Sequence, residues 1–407
     1  MRYLLILAAT VILAGCEVAP VKNVQEIKTE TQVSSKIQLP TQIPVAYYAS
    51  ADELNRMYRG SRGYYQWEFN TGIRFQEALD LVIPGIFKNA ESLQLGSSPQ
   101  YLFTFESKQD YDTVWGAYKI SLNTRVIDRD GNEVFKTQTK GSASAGNDSG
   151  AGYMNAYATA LKEASYRFLN HMGAEKLAAL ETQPAPIKLN SDNIKALLKE
   201  IKPVGTGSGF YINKEGQILT ASHVVQSCLL TQVRLNDQTF DTELVAQSKI
   251  LDLAVLQASP VSAYAKISET GAVKLGESIF TTSYPLSDIL TSQANLTLGN
   301  VSSMGGVKGA FSNFQYSAPI QPGSSGGPII THTGEVSGVV TSTLNQNYIL
   351  ATTGTTAQNI NFGVANRYVR KFLDNNRIHY SSGKPAKDFS AATQDAVNYT
   401  VQVICYK

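Results

Sequence analysis

The chain has 407 residues, enough for two domains or more, and its 35 basic against 33 acidic residues leave a formal net charge of +2. So small a charge excludes the basic excess on which nucleic-acid binding draws, and no nucleic-acid partner is expected.

Arg2 precedes an apolar run from Tyr3 to Ala14 that ends in Leu13-Ala14-Gly15-Cys16. The run falls short of the roughly 20 residues of a membrane-spanning helix, and its ending resembles the lipobox of bacterial lipoproteins. That resemblance implies a signal peptide over 1–15, removed on export, and lipid on Cys16 as the first mature residue, which anchors the protein in the cell envelope. Glu17, standing where many retained lipoproteins carry Asp, implies transit to the outer membrane, facing the periplasm. Residues 16–44 are polar with little periodicity and predict a flexible tether.

From about 45 to 181 the pattern changes. Phe75, Leu79, Val82, Ile86 and Ala90 recur at helical spacing, and Pro84 predicts a kink or break. Ile120, Leu122 and Val126 alternate along a strand, Asp128-Arg129-Asp130-Gly131-Asn132 marks a hairpin turn, and Glu133-Val134-Phe135 returns. After a Gly/Ser/Ala-rich loop over 141–152, Tyr157, Leu161, Ala164, Phe168 and Met172 line one face of a long helix. The layout predicts a small α/β sandwich similar to those of short outer-membrane lipoproteins. No motif assigns its function, and envelope proteins are its expected partners. Tyr47, Tyr48, Tyr58, Tyr64, Tyr65 and Trp67 read first as core lining and second as a surface for peptide or glycan.

Residues 182–202 predict a linker, with Gln183-Pro184-Ala185-Pro186 followed by a short amphipathic helix carrying Ile194, Leu197, Leu198 and Ile201. The run Gly205-Thr206-Gly207-Ser208-Gly209 differs from a phosphate-binding loop, which follows a strand and opens a helix; here a strand follows, so a bend before that strand is expected.

Three segments then carry chemistry. Ile218-Leu219-Thr220 leads to His223, one of four histidines. Leu251-Asp252-Leu253-Ala254-Val255-Leu256 sets one carboxylate into an apolar strand, where an unpaired charge is costly, so Asp252 needs a partner. Gly323-Ser324-Ser325-Gly326-Gly327-Pro328 places a serine in a glycine-bracketed turn whose amides can face a reacting carbonyl. A hydroxyl becomes a competent nucleophile when an imidazole takes its proton, and a carboxylate fixes that imidazole's tautomer.

The order His223, Asp252, Ser325, in these three contexts, resembles the trypsin-like serine proteases, most closely the bacterial HtrA (Deg) branch, over about residues 203 to 375. The resemblance implies a multidomain chain: an all-β double six-stranded β-barrel protease domain over 203–380, preceded by the α/β sandwich. It implies a serine endopeptidase without cofactor or metal, acting on polypeptides in extended conformation. Ser325 would be the nucleophile, with Ser324 as the alternative. His223 would be general base and then acid, Asp252 the orienting carboxylate, and the amides of Gly323 and Ser325 the oxyanion hole. Relatives that cut after Lys or Arg place an Asp six residues before the serine, whereas this chain has Pro319 and then Ile320. A pocket bordered by Ile320 would take small or medium apolar residues, and the strand around Val339, Val340 and Thr341 would pair with substrate.

Two features depart from the branch or lie outside its motifs. Residues 381–407 are too few for the PDZ domain that HtrA proteins usually carry and read as a C-terminal extension. With Cys16 lipidated, Cys228 and Cys405 remain; a disulfide between them is favoured over two buried thiols in an oxidising compartment. The reading from a different class is a catalytically silent scaffold lipoprotein whose barrel only captures peptides.

Overall fold

The computed structural model describes residues 19–407 apart from 63–64, 113, 145–148, 182–187, 199–200, 270–272, 287–292, 307–308, 344–358 and 384–387. The lipobox with Cys16 and the Gln183–Pro186 segment therefore lie outside the described residues. The chain divides into two compact units, Met1–Glu200 and Ile201–Lys407.

The first unit contains strands β1 (Val45–Ala49), β2 (Met57–Arg62), β3 (Tyr65–Asn70), β4 (Ala90–Ser92), β5 (Tyr101–Asp112), β6 (Ala117–Asp128) and β7 (Glu133–Ser144). Five form a sheet in the order β4-β1-β5-β6-β7, and β2 and β3 make a separate hairpin. Helices α1 (Ala51–Leu54), α2 (Thr71–Ile86), α3 (Ser149–Met172), α4 (Ala174–Glu181) and α5 (Ser191–Leu197) complete it. The alternating Phe103 and Phe105 of β5 meet Phe75 of α2 and Phe168 of α3 in an aromatic core. Burying such rings supplies most of what holds a layer of helices to a sheet. The expected α2 face is buried at Phe75, Leu79, Val82 and Ile86, but Ala90 belongs to β4, because the helix ends two residues beyond Pro84. Of the tyrosines named above, Tyr47 is buried with its hydroxyl on Asp80 at 2.8 Å, and the Tyr58 ring lies 5.6 Å from that of Tyr153. The side chains of Tyr64, Tyr65 and Trp67 lie outside the described residues.

The tether expectation is corrected. Residues 19–44 run as a strap along α3, held by side chains the sequence presents as ordinary helix-surface residues. Asn155 bonds Ala19 and Val21, Glu163 accepts from the amide and hydroxyl of Thr31, Asn170 bonds Gln32 and Ser34, and Glu181 accepts from the Gln42 amide. Lys162, 5% exposed, donates to the carbonyls of Val24 (2.8 Å) and Ile27 (2.6 Å), and burial pulls its ammonium below the usual lysine range. Burial alone would raise the Glu163 carboxyl; hydrogen bonds from Thr31 and Arg167 bring it below the usual range instead.

The second unit consists of two six-stranded barrels. One closes in the order β10 (Leu230–Leu235), β11 (Gln238–Ser248), β12 (Leu253–Gln257), β9 (Gln217–Thr220), β8 (Pro203–Tyr211) and β20 (Thr400–Tyr406). The other runs β18 (Glu335–Thr343), β17 (Pro328–Thr331), β14 (Ser278–Ser283), β15 (Asn295–Ser303), β16 (Asn313–Tyr316) and β19 (Asn361–Ala365), and the β18–β19 pairing closes it, with β13 (Lys266–Ile267) beside β18. Helices α6 (Ser222–Val225), α7 (Asn366–Asn375) and α8 (Phe389–Tyr399) complete the unit. Gly205–Gly209 is strand, not a bend: its partner, Val401–Cys405, comes from the far end of the chain. For the same reason 381–407 is no appendage, because β20 lies between β8 and β10 as a barrel strand. Cys405, in β20, is joined to Cys228 with a Cα–Cα distance of 5.4 Å.

This disulfide links positions 177 residues apart. Cys405→Ser, or reduction of the native protein, is expected to cost about 2 to 5 kcal/mol of stability through the freed unfolded chain. Denaturant unfolding with and without reductant checks this; an unchanged midpoint would mean that strand pairing alone secures β20.

Candidate active site

The three residues singled out above sit where the two barrels of the second unit meet. His223 stands on the one-turn helix α6, directly after β9, and its side chain is 48% exposed. Asp252 lies in the turn before β12 rather than in the apolar strand, with φ of 55°. Its Oδ1 accepts from the His223 amide at 2.9 Å, and its Oδ2 is 2.8 Å from His223 Nδ1. One carboxylate therefore fixes both the backbone and the ring of the histidine, which leaves Nε2 as the nitrogen available for proton transfer.

The serine loop is fixed peptide by peptide. Pro322 carbonyl accepts from Leu286 N–H (2.8 Å), Gly323 carbonyl from Ser208 Oγ (2.7 Å) and Ser324 carbonyl from Gly327 N–H (3.1 Å), while Ser324 N–H donates to Gln321 (2.9 Å). Each trans peptide pinned at its oxygen has its N–H directed the opposite way. Among the described residues, the amides of Gly323 and Ser325 are the two in this loop that make no hydrogen bond. The loop requires φ of 97° at Gly323 and 87° at Gly326, a region that favours glycine. At Gly326 a Cβ would also fall 2.1 Å from Ser208 oxygen and 2.8 Å from Ala221 nitrogen, so the loop presses against the strand end two residues before His223.

Ser325 is half-buried, and its Oγ donates to the Thr341 carbonyl at 3.0 Å rather than to His223. Ser324, the alternative, is 1% exposed, and its Oγ accepts from Ser283 and from the Gln321 amide. Thr341 is the residue skipped where the β18–β19 register shifts between Val340 and Ser342, and such a bulge turns a carbonyl out of the ladder.

The expected substrate strand is corrected in part. Val339 is paired with Pro328 on one side and Val364 on the other, and Val340 with Gly327 and Gly363, so neither has a free edge. Pairing with β17 stops at Val339, and Val340 is bonded by Gly326 and Gly327 of the serine loop, which leaves Thr341 as the first position with that side open. Pro319 is exposed, whereas Ile320 is 9% exposed and packs with Val301, Phe314 and Ile329 in the second barrel's core, so Ile320 is a wall residue more than an open border.

The sequence did not single out Ser208. Fully buried on β8, it donates its amide to the Ser325 carbonyl (2.8 Å) and its hydroxyl to Gly323, and it accepts from the Tyr284 amide (2.8 Å). The only available signal is a serine inside a glycine run that turns out to be strand. Ser208→Ala leaves the Gly323 carbonyl and Tyr284 amide without partners, and a stability loss of about 1 to 3 kcal/mol is expected, read by denaturant unfolding; a loss below measurement would show that water replaces the hydroxyl at no cost.

Residues 207–339 match the family model described as the trypsin-like peptidase domain. The chain is 37% identical over 228 residues to protein y4bJ of Sinorhizobium fredii, covering 55% of this chain and 35% of that one. It is 28% identical over 235 residues to the serine protease HTRA1 of Xenopus laevis, covering 54% and 46%. It is 30% identical over 146 residues to a DegP-like periplasmic serine endoprotease of Rhizobium meliloti, covering 35% and 29%. The chain thus spans less than half the length of each of these relatives.

Proposed function

We infer that this chain, whose second unit is a trypsin-like peptidase domain of the HtrA branch, is a serine endopeptidase of the cell envelope, held to the outer membrane by lipid on Cys16. The observation that carries the reading is the His223–Asp252 pair standing against a serine loop whose Gly323 and Ser325 amides are unspent.

In this reading Ser325 Oγ leaves the Thr341 carbonyl, a hydrogen bond worth about 1 kcal/mol, and gives its proton to His223 Nε2 as it attacks the substrate carbonyl. Asp252 stabilises the imidazolium, and the amides of Gly323 and Ser325 receive the oxyanion. The imidazolium then protonates the leaving amine. Water, deprotonated by His223, hydrolyses the acyl-enzyme and restores Ser325. The substrate would extend the second barrel by pairing along β18 from Thr341. The bond from Ser325 to Thr341 at rest favours one second reading, a silent peptide-capturing barrel.

A fluorophosphonate probe separates the two: labelling of the mature protein is expected at Ser325, with Ser325→Ala abolishing both labelling and casein cleavage. An unlabelled wild-type protein would support the silent barrel, and labelling at Ser324 would reassign the nucleophile. Asp252→Asn should fold normally and lose on the order of 10⁴ in turnover, because the ring is then held in the wrong tautomer.

For cleavage preference, neither the stretch Ala318-Pro319-Ile320-Gln321-Pro322 nor the strand Glu335–Thr343 beyond its first residue carries an acid, and a buried substrate Lys or Arg would stay unpaired. Peptides with Val, Ala, Ile or Leu before the scissile bond should be cut better than those with Lys or Arg. Discrimination among the aliphatic residues should be modest, at about 1 to 3 kcal/mol per methylene. Cleavage-site profiling on a denatured proteome checks this, and a dominant Lys/Arg preference overturns it. For the anchor, Cys16→Ser should leave the precursor unprocessed by the lipoprotein signal peptidase; normal maturation of that variant would end the lipoprotein reading.

A further inference from the structure

The tip of the β5–β6 hairpin holds two large apolar side chains in water: Val114 is 81% exposed and Trp115 82% exposed. Single exposed hydrophobic residues are ordinary on a protein surface, but this pair is adjacent and held in a fixed conformation. Asp112 Oδ1 accepts from the amides of both Val114 (3.0 Å) and Trp115 (3.1 Å), and its Oδ2 is paired with Lys119 Nζ at 2.7 Å. The turn is thus ordered by a carboxylate whose charge is matched by a lysine, and what it presents outward is apolar. Tyr111 and Tyr118, with ring centroids 5.2 Å apart, stiffen the base of the hairpin.

The strap shows which end of the first unit this is. Ala19 and Val21 bond to Asn155 near the start of α3, and Gln32 and Ser34 bond to Asn170, fifteen residues and about 22 Å further along the helix. The chain therefore enters at the N-terminal end of α3. That end packs on the hairpin: a Cβ on Gly152 would lie 2.4 Å from Tyr118 and 2.8 Å from the Ser144 carbonyl, and Tyr118 stacks on Tyr153 at 4.0 Å. Ala117, which opens β6, pairs with Asp112 on one side and Ser144 on the other. Two residues, Glu17 and Val18, lie between Cys16 and Ala19, so the three steps span at most about 11 Å. Lipid on Cys16 would bring a bilayer to the same end at which Val114 and Trp115 protrude.

We propose that the Val114–Trp115 tip is a second membrane contact, inserting into the interfacial layer of the bilayer that holds the lipid on Cys16. The proposal rests on the lipid-anchor reading for its choice of a bilayer as the occupant. An indole is suited to that layer, with an apolar ring and an N–H that can meet headgroups and water. Two side chains at a hairpin tip reach no deeper than that interfacial layer, so the contact is peripheral. Two points of attachment, one covalent lipid and one hairpin, fix how the first unit stands on the surface, which a single acylated residue does not.

Trp115 and Trp67 are the only two tryptophans, so Trp67→Phe makes Trp115 the sole reporter. The full mature lipidated chain with this substitution is reconstituted in phosphatidylethanolamine/phosphatidylglycerol vesicles, and mass analysis of its N-terminal peptide reads the anchor separately. Emission of Trp115 should shift to shorter wavelength, be quenched by phospholipid brominated near the headgroup, and show about threefold or more protection from acrylamide relative to the lipid-free chain in buffer. For the lipid-free chain, Val114→Ser with Trp115→Ser should weaken vesicle partitioning at least about tenfold, and the loss should persist in high salt because neither residue removed is charged; thermal unfolding confirms that this exposed pair is not needed for folding. A lipidated Cys16 with Trp115 still as open to acrylamide as in buffer overturns the tip contact and leaves the anchor standing. A shift that occurs only on adding envelope protein extract also overturns it, in favour of a protein partner. A bare Cys16 with Trp115 nonetheless quenched by brominated lipid sinks the anchor and supports the contact.

Discussion

Ser208 is buried on the first strand of one barrel, yet its amide and its hydroxyl bond to Ser325, Gly323 and Tyr284 of the other. Its own carbonyl receives the Thr220 hydroxyl from β9, the strand that leads to His223. A single residue thus links the strand end that carries the histidine to the loop that carries the serine. A buried hydroxyl gains little net free energy from hydrogen bonding, but it costs much when unpaired, so its neighbours have few other arrangements open to them. This constraint holds the Gly323 carbonyl against Ser208, while the Pro322 and Ser324 carbonyls, bonded by the Leu286 and Gly327 amides, direct the unspent N–H groups of Gly323 and Ser325 the other way.

The opposite half of the site depends on a residue in an unfavourable conformation. Asp252 adopts φ of 55°, where a non-glycine residue costs of the order of 1 kcal/mol or more. The turn is over-determined by its contacts: Leu251 N–H meets Ser248 Oγ at 3.2 Å, and the carboxylate receives both the amide and the ring of His223. Asp carries less penalty in this region than a β-branched residue does. Placing the carboxylate before β12, at the edge of the apolar strand, keeps it 29% exposed and avoids burying a full charge.

The sequence made legible what is encoded over short stretches. His223, Asp252 and Ser325 are each announced by five or six neighbouring residues, and the alternation along β6 and the apolar face of α3 follow directly from periods of two and 3.6. It left closure illegible. Thr400–Tyr406 reads as a strand, but nothing in its pattern says that Val401 faces Gly209 or that Gln402 lies beside Arg234 as well as Ser208. The strap was hidden for a related reason: Lys162 and Glu163 look like solvent-facing helix residues until main-chain carbonyls and amides from residues 24–31 arrive to pair with them. Polar groups that satisfy distant backbone leave no local trace.

Barrel closure and the site are consequently one problem. Cys228 follows His223 by five residues and is bonded to Cys405 of β20, while β20 also pairs with β8, the strand of Ser208. Before the last residues of the chain are in place, β8 lacks one neighbour, β10 lacks another, and the turn after α6 lacks its covalent tie. Ser208 can hold Gly323 only from a strand whose own position is fixed. The seven-residue strand β20, outside the motifs of His223, Asp252 and Ser325, therefore ties the histidine and the serine loop into one arrangement.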